Sequence, residues 1–566
     1  MKRQWLVVAT LGLVTPTLMA VAVPEVRAEA LVVRNNSRSG PDSLAAVTAL
    51  ASTNGTADEI TFLDTVVGTI VLEGNLTLGP GDSIVGPGSG ALSIDGEDLH
   101  RPMTLSNAGT VSISGVSFIN GSAVDGGCLS ATDTDLVLTD VTMDGCAASG
   151  NGGGVHIVGG SISMTASNVL NNSAGNDGGG VWAENATVSI SSTLVRGNTA
   201  GRDGGGLWST EPPTIVSTDI DQNTATSGDG GGAWVGDGAA MAMRRCTVSD
   251  NTAGVAGGGL YVGSMQAQTV GLVASSLFHG NAAETYGGGM LLDLVDVTVY
   301  EATFTVVDTN VTDNSAGFYG GIATFAEPES PAMVVRFAFD TIVDNTAGDP
   351  QGQQLYVATR GFVTHSVVDG AGDAVDTSIV GLPVTRSVIG DTSSTFDGSF
   401  SLDPFSTAHV GNIPGLGVLQ DNGGPTLTMK PSAGSVLINN GASTLSGAPP
   451  YDARGAARKK GARYDIGAVE FQTPSAPRDV VAVARVDAVR VGWRAPISAG
   501  DGAILAYRVY RQLADGSWTR VGTVGAGVRS YLVSGLVTGR LYRFRVAAVN
   551  AAGVGTVSAS VGRRAG

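Results

Sequence analysis

From residue 126 to about residue 350 the apolar positions come in short alternating runs, each cut off by a polar, glycine-rich turn. The stretch from Asn172 to Arg196 shows the plan. A turn, Asn172-Ser173-Ala174-Gly175-Asn176-Asp177, leads into Gly178-Gly179-Gly180. Val181-Trp182-Ala183 follows as a short strand, Thr187-Val188-Ser189-Ile190 alternates, and Thr193-Leu194-Val195 runs to the next turn. Such alternation marks a strand with one face buried. Gly-Gly pairs begin at Gly126, Gly152, Gly178, Gly204 and Gly230, one interval repeated four times without change. They continue at Gly257, Gly287 and Gly320, with the interval lengthening at each step. Growing gaps at fixed turn chemistry predict loop insertions on an unchanged coil. Short strands at one period predict a parallel β-helix, one coil per repeat. A propeller blade needs about 40–45 residues, too many for this period, and the leucine column of a leucine-rich repeat is missing. At about 4.8 Å per coil, roughly eleven coils make a rod about 50–55 Å long.

Coils in register place equivalent side chains over one another. One such column runs Asn120, Asn172, Asn198, Asn223, Asn251, Asn281, Asn314 and Asn345, with Cys146 replacing Asn once. Asn tolerates left-handed backbone at a corner, and its amide can bond the same amide in the coils above and below. A second column, Trp182, Trp208, Trp234 and Tyr261, follows each glycine triplet by one apolar residue. Alternation turns Val181, Leu207, Ala233 and Leu260 inward and the aromatics outward. A flat aromatic strip there is a candidate ligand surface, able to stack sugar rings; the competing reading is a ladder packed under a loop or a neighbour. A third column, Asp177, Asp203 and Asp229, precedes the Gly-Gly pairs, with Asp125 and Asn151 in line. Carboxylates about 5 Å apart repel unless screened, which makes these residues candidates for a structural calcium ion, against plain Asp-Gly turn chemistry. No other cofactor is expected.

The N-terminus carries Lys2 and Arg3, an apolar run from Trp5 to Val23, and a small-residue cleavage site at Val26-Arg27-Ala28 or Ala28-Glu29-Ala30. That is the layout of an export signal over residues 1–30. No second hydrophobic span follows, so no transmembrane segment is expected once the signal is removed. The expected location is extracellular or the cell surface. Three cysteines, Cys128, Cys146 and Cys246, imply no framework. A Cys128–Cys146 bridge and buried free thiols both remain open. Residues 473–566 hold 13 Arg, no Lys and 4 Asp, a net of +9, which leaves −27 of the total −18 to the rest of the chain. An acidic body of that size argues against nucleic acid as a partner. The partners expected are a polysaccharide or an anionic cell-wall polymer; the basic tail suits an anionic wall polymer or surface through charge, against the reading of a stable module with a solvated basic face. His156, His279 and His365 lie in different repeat contexts with no evident partner, and Arg196, Arg202, Arg244 and Arg245 form no pocket motif. No catalytic residue is therefore named. The rival reading is a carbohydrate-active enzyme, a polysaccharide lyase or glycoside hydrolase on the same scaffold.

Several stretches resemble known families. The Gly-Gly-apolar strands with Asn-x-Ala turns resemble polymorphic outer membrane protein-like β-helices. Gly40-Pro41-Asp42-Ser43-Leu44, Asp58-Glu59-Ile60-Thr61-Phe62, Gly68-Thr69-Ile70, Gly86-Pro87-Gly88 and Leu92-Ser93-Ile94-Asp95-Gly96 resemble the start of CSLREA-type bacterial surface proteins. There Ser43 to Ser52 reads as a short helix capping the open end of the rod. Asp421-Asn422-Gly423-Gly424-Pro425-Thr426, Asn440-Gly441-Ala442, Asp452-Ala453-Arg454-Gly455 and Asp465-Ile466-Gly467-Ala468-Val469-Glu470 resemble a choice-of-anchor Q domain. The resemblance implies a unit that closes a β-helix, and Asp452, Arg454, Arg458, Asp465 and Glu470 are expected to form a charge-paired cap. Val489-Arg490-Val491-Gly492-Trp493, Tyr507-Arg508-Val509-Tyr510-Arg511 and Tyr542-Arg543-Phe544-Arg545-Val546 resemble a fibronectin type III domain, with Trp493 as core anchor and Tyr542 at the tyrosine corner. The expected architecture is all-β, a right-handed parallel β-helix (solenoid) followed by a fibronectin type III β-sandwich. Its divisions are a signal at 1–30, an N-terminal cap and first coils at 31–95, repeats at 96–420, a choice-of-anchor Q-like cap at 421–472, and the sandwich at 473–566. The expected function is a non-catalytic structural or adhesion-type protein whose rod presents a carbohydrate- or surface-binding face.

Overall fold

The structure is a computed structural model that describes residues 30–566, apart from short segments at 238–239, 265–269, 295–302, 327–333, 349–352, 359, 371–374, 378–381, 392–399, 403–406, 411–414 and 462. The expected export signal falls, but for its last residue, outside the described residues.

The repeats make a parallel β-solenoid of about 12 turns. In the type unit the strands are Val181–Glu184, Thr187–Ser191 and Leu194–Arg196, followed by a two-residue strand at Thr199–Ala200. Each pairs in parallel with its equivalent one coil on: Val181 with Leu207, Ile190 with Ile215, Val195 with Ile220, Ala200 with Ala225. The longer repeats keep this pairing, Leu260 with Met290 and Met290 with Ile322, because the added residues fall between strands. Inward positions such as Val155, Ile157, Ile162, Met164 and Val169 join one continuous apolar core.

The Gly-Gly pair has two separate reasons. Gly178 adopts φ 66°, and a Cβ there would lie 2.6 Å from the Cβ of Trp182. Gly179 faces the next coil, where a Cβ would lie 2.4 Å from the carbonyl oxygen of Gly205. The first glycine makes the corner and the second lets adjacent coils close.

The open N-terminal end is covered by the helix Leu44–Asn54, capped by Ser43, whose side chain accepts from the Ala46 N–H, and ended by Gly55 at φ 75°. Its residues Leu44, Val47 and Ala51 close the core beyond Val33 and Ile60. Cys128 and Cys146 are bridged, with Cα atoms 5.4 Å apart, and Cys246 is a buried free thiol.

Residues 421–472, expected as a terminal cap, pack against several successive coils along the side of the rod. Met429, Leu437 and Ile466 pack on Val343, Val367 and Val388 of three successive coils. Backbone N–H groups of Met429, Ala442 and Ala468 donate to Asn310, His365 and Thr341 of the rod. The C-terminal sandwich has one sheet of Arg478–Arg485, Ala488–Arg494 and Ser530–Ser534, and a second built on Trp518–Gly525, Ala506–Gln512 and Leu541–Asn550. Trp493 is buried beside Tyr507 and Phe544, and the Tyr542 hydroxyl accepts from the Val537 N–H. The sandwich is held to the side-mounted segment through Asp501, which accepts from Arg454 at 3.0 Å and from the Gln472 N–H at 2.8 Å.

Candidate functional site

The aromatic column forms, and its rings stack face to face. Successive rings His156, Trp182, Trp208, Trp234 and Tyr261 lie 4.4, 5.0, 4.9 and 6.0 Å apart between centroids and within 6° of parallel. Val181, Leu207, Ala233 and Leu260 are buried in the core, as alternation requires. Coil spacing is close to aromatic stacking distance, so each inner ring spends both faces on its neighbours and leaves only edges outward. The flat strip expected for sugar rings is thus a packed ladder. Open ring surface occurs elsewhere along the rod, as on Tyr286 and Phe318, which are 37% and 41% exposed and stacked 5.4 Å apart. They continue the aspartate column, where Ala256 pairs with Tyr286 and Tyr286 with Phe318.

The aspartate column is a hydrogen-bond ladder. Asp177 Oδ1 accepts from the Asp203 N–H (3.1 Å), Asp203 Oδ1 from the Asp229 N–H (2.8 Å) and Asp229 Oδ1 from the Ala256 N–H (2.9 Å). The other oxygen of Asp177 pairs with Arg202 at 2.5 Å. Burial, then the charge of Asp203 below it, pushes the Asp229 carboxyl up to about 6. Burial likewise raises Asp203. Calcium takes about 6–8 converging oxygens. Each rung spends one carboxylate oxygen on a backbone N–H, and among the described residues no group of three or more His, Cys, Asp or Glu is placed to hold a metal.

The histidines, expected to lack partners, are each engaged. His156 starts the ring stack. His279 lies 3.3 Å from Asp313. His365 is buried, and its Nε2 accepts from the Ala442 N–H of the side-mounted segment. Arg196 pairs with Asp221 at 2.6 Å. Arg244 and Arg245, by contrast with the expectation, line a recess, because residues 451–455 return to form its other wall. A contact between positions so far apart along the chain carries no periodic signal.

The charge-paired cluster expected in 421–472 exists and reaches further than its own segment. Arg454 bridges Asp452 and Asp501 at 2.9 and 3.0 Å. Buried Arg458 pairs with Asp308 of the rod and lies 3.9 Å from Glu470. Asp465 accepts from the N–H groups of Asn439 and Phe471, each at 2.6 Å. In the sandwich, Arg511, Arg540 and Arg543 line a recess of about 330 Å³ around Tyr542. The guanidiniums of Arg511 and Arg540 lie 5.8 and 5.7 Å from that ring. None of the three is ion-paired among the described residues.

Residues 133–349 match the family described as right handed beta helix region, and residues 475–563 match the fibronectin type III domain. Among solved structures, the chain is similar to a run of titin domains at 28% identity, over 18% of its own length and 34% of that chain, with a TM-score of 0.16. It is similar to the twitchin kinase region from C. elegans at 23% identity, over 16% of its length and 17% of that chain, with a TM-score of 0.16. It is also similar to the FN5 domain of Drosophila Lar at 26% identity, over 16% of its length and 97% of that chain, with a TM-score of 0.14. The chain thus spans about a third or less of the titin and twitchin chains. A β-helix joined to a fibronectin type III module fits an extracellular structural or adhesion-type protein. Among the described residues no helix is long and apolar enough to cross a membrane.

Proposed function

We propose that this is a secreted or cell-surface adhesion-type protein in which the β-helix is a rigid spacer and the sandwich docks an anionic polymer, an acidic polysaccharide or wall polymer. The observation that carries the reading is the cluster of Arg511, Arg540 and Arg543 around Tyr542, without an ion pair among the described residues, on a module of net +9 joined to a body of net −27. Arginine forks suit carboxylate and phosphate oxygens. Tyr542 holds two of the forks over its ring, which lowers the entropy lost on binding. A body of opposite sign disfavours wrapping of the same polymer along the acidic faces of the rod, so the tail supplies the main electrostatic attraction. The Cys128–Cys146 bridge agrees with passage through an oxidising compartment. The choice-of-anchor resemblance of residues 421–472 agrees with surface display, with the segment acting as the bracket between rod and module.

Retention on immobilised acidic glycans, measured across a salt gradient, tests this. The wild type is expected to be retained at low salt and released as salt rises. The triple variant Arg511→Gln, Arg540→Gln, Arg543→Gln is expected to be released at markedly lower salt. Retention unchanged by the triple variant overturns the docking role, and release of uronate products by the wild type overturns the non-catalytic reading.

A further inference from the structure

We propose that the recess between the rod corner and residues 451–455 binds a carboxylated sugar residue, a site separate from the docking role given above to the sandwich. Its floor is one corner of three successive coils. Val216, Arg244 and Ala274 are paired equivalents, and the residues after them, Ser217, Arg245 and Ser275, all have φ between 50° and 55°. Small side chains above and below the two arginines are what make the recess. Farther along the same corner the equivalent residues are covered by the side-mounted segment. There Arg458 pairs with Asp308 and lies over Phe339, and Ala442 donates to His365. Where that segment crosses toward the sandwich, Tyr451 and Arg454 stand as the opposite wall, enclosing about 590 Å³.

The lining chemistry is selective. Arg244 and Arg245 are exposed, and neither forms an ion pair among the described residues. They stand in a stretch that has no lysine between Lys2 and Lys430. The lining carboxylate, Asp452, is turned away into its pair with Arg454. Two guanidiniums with no counter-ion among the described residues suit an oxyanion. Ser217 and Ser275 supply hydroxyls on either side, and the Tyr451 ring, 58% exposed, offers an apolar face to a pyranose. Carboxylate to the arginines, ring hydroxyls to the serines and the C–H face to the tyrosine is a complete set for a uronate-type residue. The recess is of the size of small-ligand sites and lies at a junction between folding units, where such sites concentrate.

Calorimetric titration of the full chain with a galacturonic acid trisaccharide, its methyl ester and inorganic phosphate tests the assignment. The acid is expected to bind. The methyl ester, which keeps the rings and loses the charge, is expected to bind at least about tenfold more weakly. Arg244→Gln and Tyr451→Ala should each weaken the acid by about tenfold or more while the melting temperature holds. Arg245→Asn should do the same, Asn being chosen because it accepts the left-handed backbone. In the Arg511→Gln/Arg540→Gln/Arg543→Gln background the binding of the acid, and its weakening by Arg244→Gln, should persist, which separates the recess from the sandwich. Equal binding of acid and ester overturns the carboxylate assignment. Phosphate binding as tight as the acid, with the same variant dependence, overturns the sugar assignment. Loss of acid binding only in the sandwich variant, or no binding of the acid at all, overturns the site.

Discussion

Replacing Arg458 with alanine is expected to release residues 421–472 from the rod, at a cost of about 3–5 kcal/mol. The Arg458 side chain is fully buried. It pairs with Asp308, donates to the Ala468 carbonyl at 3.0 Å, and lies 4.2 Å over the Phe339 ring. One cation thus serves a buried group of carboxyls comprising Asp308, Asp340, Asp465 and Glu470. Burial is the first cause that raises each of them, pushing Asp308 up to about 7 and Asp465 to about 8. Without the guanidinium the group must either take up protons or break its packing. The readout is a lower denaturation midpoint together with new proteolytic cleavage inside 421–472. A midpoint shift below about 0.5 kcal/mol would remove Arg458 from its place as the fastener. The same cluster fixes a pH dependence. The folded state keeps protons on Asp308 and Asp465 that the unfolded chain gives up near its ordinary carboxylate values. The stability these groups add is therefore full below about pH 4 and is lost as pH rises through about 7 to 8. Thermal melts should show this junction weaker at pH 9 than at pH 5. Asp340→Asn, which keeps the shape and removes a charge, should narrow the difference.

The rod was legible because its signal is periodic. Gly-Gly pairs at a constant interval mark the corner and the close coil contact together, so a single column carries two constraints. Register was read correctly wherever both flanking strands were regular, and it failed by one residue at Asn120. Strand pairing aligns Asn120 with Gly145, Asn171 and Gly197, all at positive φ, one place before the amide column. Gly121, then Cys146, stand in the column itself, with the Cys146 N–H donating to Asn172. The two roles first given to one asparagine, left-handed corner and stacked amide, are thus divided between neighbours. The aromatic column was legible as a column, but sequence alternation says only in or out. It does not say that the rings turn their faces along the rod. What could not be read at all are contacts without a period. Arg458 with Asp308, Tyr451 beside Arg244, and Arg454 with Asp501 join parts of the chain that share no repeat.

Asn223→Ala is expected to cost about 4 kcal/mol, the sum of two orphaned buried donors at about 1–3 kcal/mol each and a small void. Asn223 is fully buried. Its Oδ1 accepts from both the backbone N–H of Asn198 (3.0 Å) and its Nδ2 (2.9 Å), while its own Nδ2 donates to the Val195 carbonyl and to Asn251 Oδ1, each at 2.9 Å. The pattern repeats through Asn251, Asn281, Asn314 and Asn345 and ends on Gln354, whose Oε1 accepts from Asn345 at 2.8 Å. Alanine leaves the backbone and side-chain N–H donors of Asn198 without their acceptor. The neighbouring residue gives the control. Gln222 is exposed at φ 55°, the position that is glycine at 145, 197 and 280. Gln222→Gly relieves left-handed backbone and should be neutral within about 0.5 kcal/mol. Denaturation midpoints of the two variants therefore separate the amide ladder from corner geometry. Equal losses at 222 and 223 would mean that the stacked amides add nothing beyond the turn, and the rod's stability would have to come from its apolar core alone.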